Sequence, residues 1–145
     1  MRILMGVGND LLGDDGVGIY IADRFVAKGW RTLSCGTAPE NFTSVIRREQ
    51  PEILLIVDAA EMGLSPGEFR IVMESDIEDV SIGTHQLPLS HLITYLRSSV
   101  TEIIFIGIQP RTVEMGAEMS ADVKEGAALL MRILESGRFA DIPVF

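Results

Sequence analysis

Ile53-Leu54-Leu55-Ile56-Val57-Asp58 is the stretch that decides the fold. Five successive aliphatic residues with no polar alternation read as a strand buried on both faces, the habit of a parallel sheet covered by helices on each side. The acid that follows them marks the carboxyl end of that strand. Two other runs share the pattern, Ile3 to Val7 and Ile103 to Ile108, and Arg31 to Cys35 reads as a further strand. Phe69 to Met73 reads as the return strand of a hairpin after the turn-rich Met62-Gly63-Leu64-Ser65-Pro66-Gly67. Helical periodicity fills the intervals. Val17, Ile21 and Phe25 recur every fourth residue over a helix running to about Lys28, with Asp14 or Asp15 suited to cap it and Gly29 to stop it. Pro39 opens a helix bearing Phe42, Val45 and Ile46, which Pro51 ends. Leu89, Leu92, Ile93 and Leu96 share a face after Pro88. Ser120 suits the cap of a last helix in which Val123, Ala127, Leu130 and Leu134 keep the helical period up to Gly137. The order β-α-β-α-β-β-α-β-α predicts an α/β protein: a three-layer α/β/α sandwich on a five-stranded mixed, mostly parallel sheet with one antiparallel strand. Residues 1–145 contain no linker, repeat or low-complexity tract and read as a single domain.

Composition narrows the function classes. Hydrophobic residues are 47% of the 145 and charged residues 23%, which excludes an intrinsically disordered chain. Acids outnumber bases 21 to 12 for a net charge of -9, and Lys28 and Lys124 are the only lysines. Nucleic acid binding needs clustered cations to displace counterions from phosphates, so a nucleic acid partner is not expected. The lone Cys35 excludes an intrachain disulfide and a cysteine-rich zinc site. No signal-peptide pattern opens the chain and no apolar run approaches the ~18 residues of a membrane span. A cytoplasmic protein without membrane insertion is expected.

In open parallel sheets, sites form beyond the carboxyl ends of strands where the strand order reverses. Asp10, Asp14 and Asp15 follow the first strand and Asp58 ends the third. If the second strand flanks the first on one side and the third flanks it on the other, Asp15 and Asp58 face a common crevice. His85, in Gly83-Thr84-His85-Gln86-Leu87-Pro88, stands just before a helix and within reach of the same place. Each acid also has a plain structural use, at a helix start for Asp14 and Asp15 or in a turn for Asp58. His91 reads as structural, and Cys35, with no base nearby, as a packed thiol. Gly6-Val7-Gly8 after a strand resembles the start of a dinucleotide fingerprint. Leu11 stands at its third glycine position, however, and the three neighbouring aspartates would repel a pyrophosphate. What remains is two carboxylates and one imidazole, a donor set that suits a borderline divalent ion such as Ni²⁺ or Zn²⁺ with positions left open. The spacing from 15 to 58 to 85 does not name the metal.

Several of these segments together are similar to one family. Gly8-Asn9-Asp10-Leu11-Leu12-Gly13-Asp14-Asp15-Gly16-Val17-Gly18 resembles the N-terminal signature of the [NiFe]-hydrogenase maturation endopeptidases. The resemblance continues through Gly36-Thr37-Ala38-Pro39-Glu40-Asn41, Val57-Asp58-Ala59-Ala60-Glu61-Met62-Gly63 and Pro66-Gly67-Glu68. It resumes in Thr84-His85-Gln86-Leu87-Pro88-Leu89 and Gly107-Ile108-Gln109-Pro110, so it spans nearly the whole chain in order. The Ala-Pro-Glu-Asn segment is closest to the branch that matures the large subunit of formate-hydrogenlyase-type hydrogenases.

The resemblance implies a nickel-dependent endopeptidase. Its substrate is a [NiFe]-hydrogenase large-subunit precursor, whose C-terminal extension it removes after nickel insertion. It also implies that Asp15, Asp58 and His85 form an aspartate-rich, metal-assisted site that meets nickel held by the substrate and not necessarily retained by the free enzyme. Asp14, next to Asp15, is the ambiguity in that assignment. The expected cut after a basic residue implies a negative subsite, for which Asp10, Glu40 and Glu61 are candidates. The alternatives are a non-cleaving nickel-checking or chaperone module, and another hydrolase such as a peptidyl-tRNA hydrolase, whose polyanionic substrate fits poorly with these acids.

Overall fold

A computed structural model of the chain describes residues 1–83 and 87–145. The elements are β1 (Arg2–Val7), α1 (Val17–Arg24), β2 (Trp30–Gly36), α2 (Thr43–Glu49), β3 (Ile53–Ala59), β4 (Phe69–Val72), α3 (Ile77–Val80), α4 (Leu89–Leu96), β5 (Glu102–Ile108) and α5 (Ala121–Ser136). Short 3-10 turns at Gly13–Gly16 and Pro39–Phe42 lead into α1 and α2. The five strands form one sheet in the order β2-β1-β3-β5-β4, parallel throughout except for β4, which runs antiparallel to β5.

Both faces of the sheet are covered because its central strands are apolar on both. Ile3, Met5, Leu54 and Ile56 point to the layer of α2, α3 and α4, against Ile46, Ile77 and Leu92. The intervening Leu4, Leu55 and Val57 point to α1 and α5, against Ile21, Ala127 and Leu130. This is the three-layer α/β/α arrangement, and the period-two alternation of strand side chains explains why each continuous run feeds two cores. Helix α1 comes unusually close to the sheet. A side chain on Gly18 would put its Cβ 2.4 Å from the Val57 carbonyl oxygen and 2.5 Å from that of Val7, so only glycine fits where the helix crosses the ends of β1 and β3.

Four local features differ from the sequence reading. Helix α1 ends at Arg24 and not near Lys28: Phe25 is extended, its ring set edge-on to Trp30 at 5.4 Å, and this tertiary contact overrides the helical period. Neither Asp14 nor Asp15 caps α1, whose N-cap position is Gly16 with no side-chain cap. The short helix α3 has no counterpart in the predicted order. Finally, β4 is antiparallel as expected but does not form a hairpin with β3. Strand β5 lies between them, paired with β3 from Ile53↔Glu102 to Ala59↔Ile108. Two long, largely apolar strands bury more area side by side than either would against the shorter β4, which takes the edge. The outer side of β4 is covered in turn by the C-terminal residues, through Ile71 N–H to the Pro143 carbonyl and Phe145 N–H to the Ile71 carbonyl, each 2.9 Å.

Candidate active site

The strand order reverses between β1 and β3, with β2 on the far side of β1, so the topology puts a switch point at their carboxyl ends, as expected. Strand β1 leaves the sheet through Gly8, at φ +142°, whose N–H is tied to the Gly36 carbonyl at the end of β2. Asn9 then turns the chain, its side-chain oxygen accepting the Leu11 N–H at 3.0 Å. The 3-10 turn that follows brings Asp15 back beside the strand end, where its carboxylate accepts the Asn9 N–H at 3.0 Å. Asp58 lies inside β3, one residue before its end, and accepts the Ala59 N–H at 2.8 Å. Both carboxylates are buried, Asp15 at 4% exposure and Asp58 at 2%. Gly8 separates them: a Cβ there would stand 2.0 Å from the Asp15 carbonyl oxygen and 3.4 Å from Asp58 Oδ1. Gly8 therefore has the Asp15 backbone on one side and the Asp58 carboxylate on the other, although the two acids are 43 positions apart in sequence.

Asp14 and Asp15 have different work. Asp14 is fully buried and its carboxylate accepts four hydrogen bonds from the other end of the chain. The donors are the N–H groups of Arg111 (2.8 Å), Thr112 (3.0 Å) and Ser120 (2.7 Å) and the Ser120 hydroxyl (2.6 Å). Burial by itself pushes this carboxyl up, but the Ser120 hydroxyl and the three N–H donors outweigh it and hold it below its ordinary value. Asp14 is thus a clamp between the turn after β1 and the start of α5, and Ser120 gives its hydroxyl to that clamp instead of capping the helix.

His85 lies outside the described residues. Leu87 and Pro88, which follow it, lead into α4 on the sheet face that Leu54 and Ile56 also line, and strand alternation assigns Asp58 to that same face. Among the described residues, no three His, Cys, Asp or Glu side chains come together as a metal-holding group. Two buried carboxylates are hard oxygen donors of the right kind for a borderline divalent ion, and an imidazole would complete a facial set.

The remaining candidates separate by environment. Cys35 is buried, its thiol pushed up to about 12 by desolvation, which rules it out as a nucleophile. His91 stands exposed on α4 and not packed within it. Asp10 is exposed. Glu61 is exposed and accepts a 2.9 Å hydrogen bond from Gln109 Nε2. Glu40, in the turn after β2, is half-buried, and its shielded oxygen Oε2 has no hydrogen-bonding partner among the described residues. Gly6 serves packing: a Cβ there would fall 2.1 Å from the Gly18 carbonyl oxygen, so α1 lies directly against the strand.

Gln109 is the residue that site reasoning missed. It is 4% exposed, and its Oε1 accepts the N–H groups of Met62 (2.7 Å) and Leu64 (3.3 Å) while its Nε2 reaches Glu61. Its backbone bonds Gly67 and Glu68 as well, so one amide shapes the whole connection that leaves β3 after Asp58. Its place directly beyond a buried strand was the available signal, since a polar residue there must find partners.

A parallel sheet with buried acids beyond the ends of β1 and β3 defines the class, and comparison with known proteins agrees. The chain belongs to the hydrogenase maturation protease family, whose sequence profile (HycI) matches residues 18–136. It is an endopeptidase of hydrogenase maturation, which sets aside the non-cleaving chaperone and the peptidyl-tRNA hydrolase. It is 41% identical to the hydrogenase 3 maturation protease of Escherichia coli K12 over 98% of this chain and 96% of that one. Its fold superposes on the solution structure of the endopeptidase HycI from Escherichia coli with a TM-score of 0.90, at 36% identity, covering 99% of this chain and 96% of that one. The [NiFe] hydrogenase maturation protease HycI from Thermococcus kodakarensis matches with a TM-score of 0.80, at 31% identity, over 93% and 90% of the two chains. No helix among the described residues is long and apolar enough to cross a membrane.

Proposed function

We propose that this endopeptidase removes the C-terminal extension of a [NiFe]-hydrogenase large-subunit precursor and does so once nickel is in place. Asp15, Asp58 and His85 are the residues that meet the nickel carried by that substrate. The observation that supports this reading is that the fold brings two buried acids, Asp15 and Asp58, to the strand-order reversal around Gly8. Carboxylates so placed bind poorly to an apolar or anionic group but well to a divalent cation, and a cation still short of ligands in the precursor gains two oxygens here. Binding is then a test of whether the metal has been inserted.

Hydrolysis of the amide needs a water to attack the scissile carbonyl carbon, a stabilised oxyanion, and a proton for the departing amine. The substrate's nickel supplies positive charge near the reacting carbonyl. Of the chain's own groups, Asp58 and Asp15 orient that cargo, and a carboxylate oxygen not engaged with it accepts the proton of the attacking water and gives it to the departing amine as the C–N bond breaks. Asp14 keeps its oxygens occupied with four donors and takes no part. Among the acids considered for a basic residue at the cut, Glu40 is favoured, because its shielded Oε2 still wants a donor whereas Glu61 already accepts one from Gln109.

The test compares nickel-loaded with nickel-free precursor and follows the tail by intact mass. The loaded form loses its tail and the nickel-free form keeps it; equal cleavage of both refutes nickel gating. Asp58→Asn and His85→Ala each abolish tail removal with thermal unfolding close to wild type. Wild-type processing by both variants overturns the assignment of the site.

A further inference from the structure

The connection from β5 to α5, residues 109–120, contains neither helix nor strand, yet it is held firmly against the active-site turn. Asp14 takes donors from Arg111, Thr112 and Ser120, and its own N–H is given to the Thr112 carbonyl at 2.8 Å. Farther out, Gly116 N–H reaches the Leu11 carbonyl at 2.9 Å. That bond joins the backbone of Leu11, in the turn after β1, to the residue that follows Met115 at the tip of the connection. Both project into solvent, Leu11 at 61% and Met115 at 72% exposure. Ordered connections of this length without secondary structure are kept for binding more often than for packing. Scattered apolar residues on a surface need no explanation, but two on segments that a buried carboxylate and a backbone bond hold together beside a candidate site do.

We infer that Leu11 and Met115 form an apolar docking rim for the substrate, seating an apolar side chain of the precursor next to its scissile bond. The inference rests on the chain's reading as a precursor-processing endopeptidase and adds to it a second contact, independent of the metal. The occupant is assigned to the substrate and not to a second copy of the chain, because hydrogen bonds tie this turn to the candidate site: the Leu11 N–H is given to Asn9 Oδ1, and the Asn9 N–H to the Asp15 carboxylate. An unbranched thioether beside a leucine adapts to side chains of several shapes, as a surface that receives a varied tail requires.

The experiment varies the concentration of nickel-loaded precursor with wild-type protein, with Leu11→Gln, Met115→Gln and the pair together, and with Leu129→Gln as an exposed apolar control on α5. For the double variant, KM rises about tenfold, the effect of losing roughly two buried methylene groups, with kcat within about twofold of wild type. Leu129→Gln leaves both constants unchanged. In parallel, precursor binding is measured on an Asp58→Asn background, and the double variant weakens it by a similar factor. Unchanged KM and unchanged binding overturn the docking rim. So does a fall in kcat at constant KM, which would make the pair part of the chemistry. If the wild type fails to cut while binding still depends on Leu11 and Met115, the processing reading falls and the rim stands.

Discussion

Replacing Asp14 by asparagine separates its clamping role from that of Asp15. In the wild type, Oδ2 accepts from Arg111, Thr112 and the Ser120 hydroxyl and Oδ1 accepts from Ser120 N–H, all in a fully buried setting. An amide retains one acceptor oxygen, so at best three donors keep a partner that is now neutral, and the fourth faces an NH₂ group. Hydrogen bonds to a charged acceptor exceed neutral ones by about 1 kcal/mol each, and a buried donor left without an acceptor costs about 1–3 kcal/mol. Some of this is recovered by relaxation of the connection, and a destabilisation of about 3 kcal/mol is expected. For a chain of this size that is a fall in Tm of roughly 6–12 °C. The pH dependence follows from the depressed folded-state value. Between that value and the ordinary 3.8 of an unfolded aspartate, the unfolded chain binds more protons than the native one. The stability due to the Asp14 charge is therefore complete above the ordinary value and is lost as pH falls through the folded-state value. Urea denaturation of wild type and Asp14→Asn across pH 7 to pH 3 should show a wide gap that persists to about pH 4 and narrows below it. Equal stabilities at pH 7, or a gap of constant size down to the lowest pH, would refute the clamp.

Two other perturbations test the frame around the site. Gly18→Ala, favourable by helix propensity alone, should destabilise by about 2 kcal/mol or more, because its Cβ would meet the carbonyl oxygens of Val7 and Val57; a variant as stable as wild type in denaturant titration would contradict the close approach of α1. Cys35, with its thiol held up at about 12 by burial, should resist alkylation in the native state at pH 8 and react fully in denaturant, as mass spectrometry will show, and Cys35→Ala should process precursor at the wild-type rate.

The legible part of the site was its list of acids and the strand ends that carry them. Asp58 after five aliphatics and the aspartates after Ile3 to Val7 announce themselves because an acid at the end of a buried strand lies at the carboxyl end of the sheet, where sites form. Less legible was the difference between Asp14 and Asp15. Two neighbouring aspartates are alike in sequence, and the donors that distinguish them stand 97 to 106 positions away. Gln109 escaped notice for the same reason: its partners, Met62 and Leu64, belong to a different stretch of chain. Phe25 shows the reverse error, a residue with perfect helical spacing that Trp30 draws out of the helix.

Local pattern by itself determined the layers. Aliphatic runs without alternation require cover on both faces, helical periods between them supply it, and the family resemblance attaches a chemistry to residues already conspicuous. Only the tertiary structure decided that β5 separates β3 from β4, that Gly6 and Gly18 let α1 sink onto the strand ends, and that one of two adjacent acids is a clamp. Periodicity reports what a segment buries, which is a property of the segment. Partnership depends on which distant segments fill the space beside it, and that is settled only when all the strands compete for the same sheet.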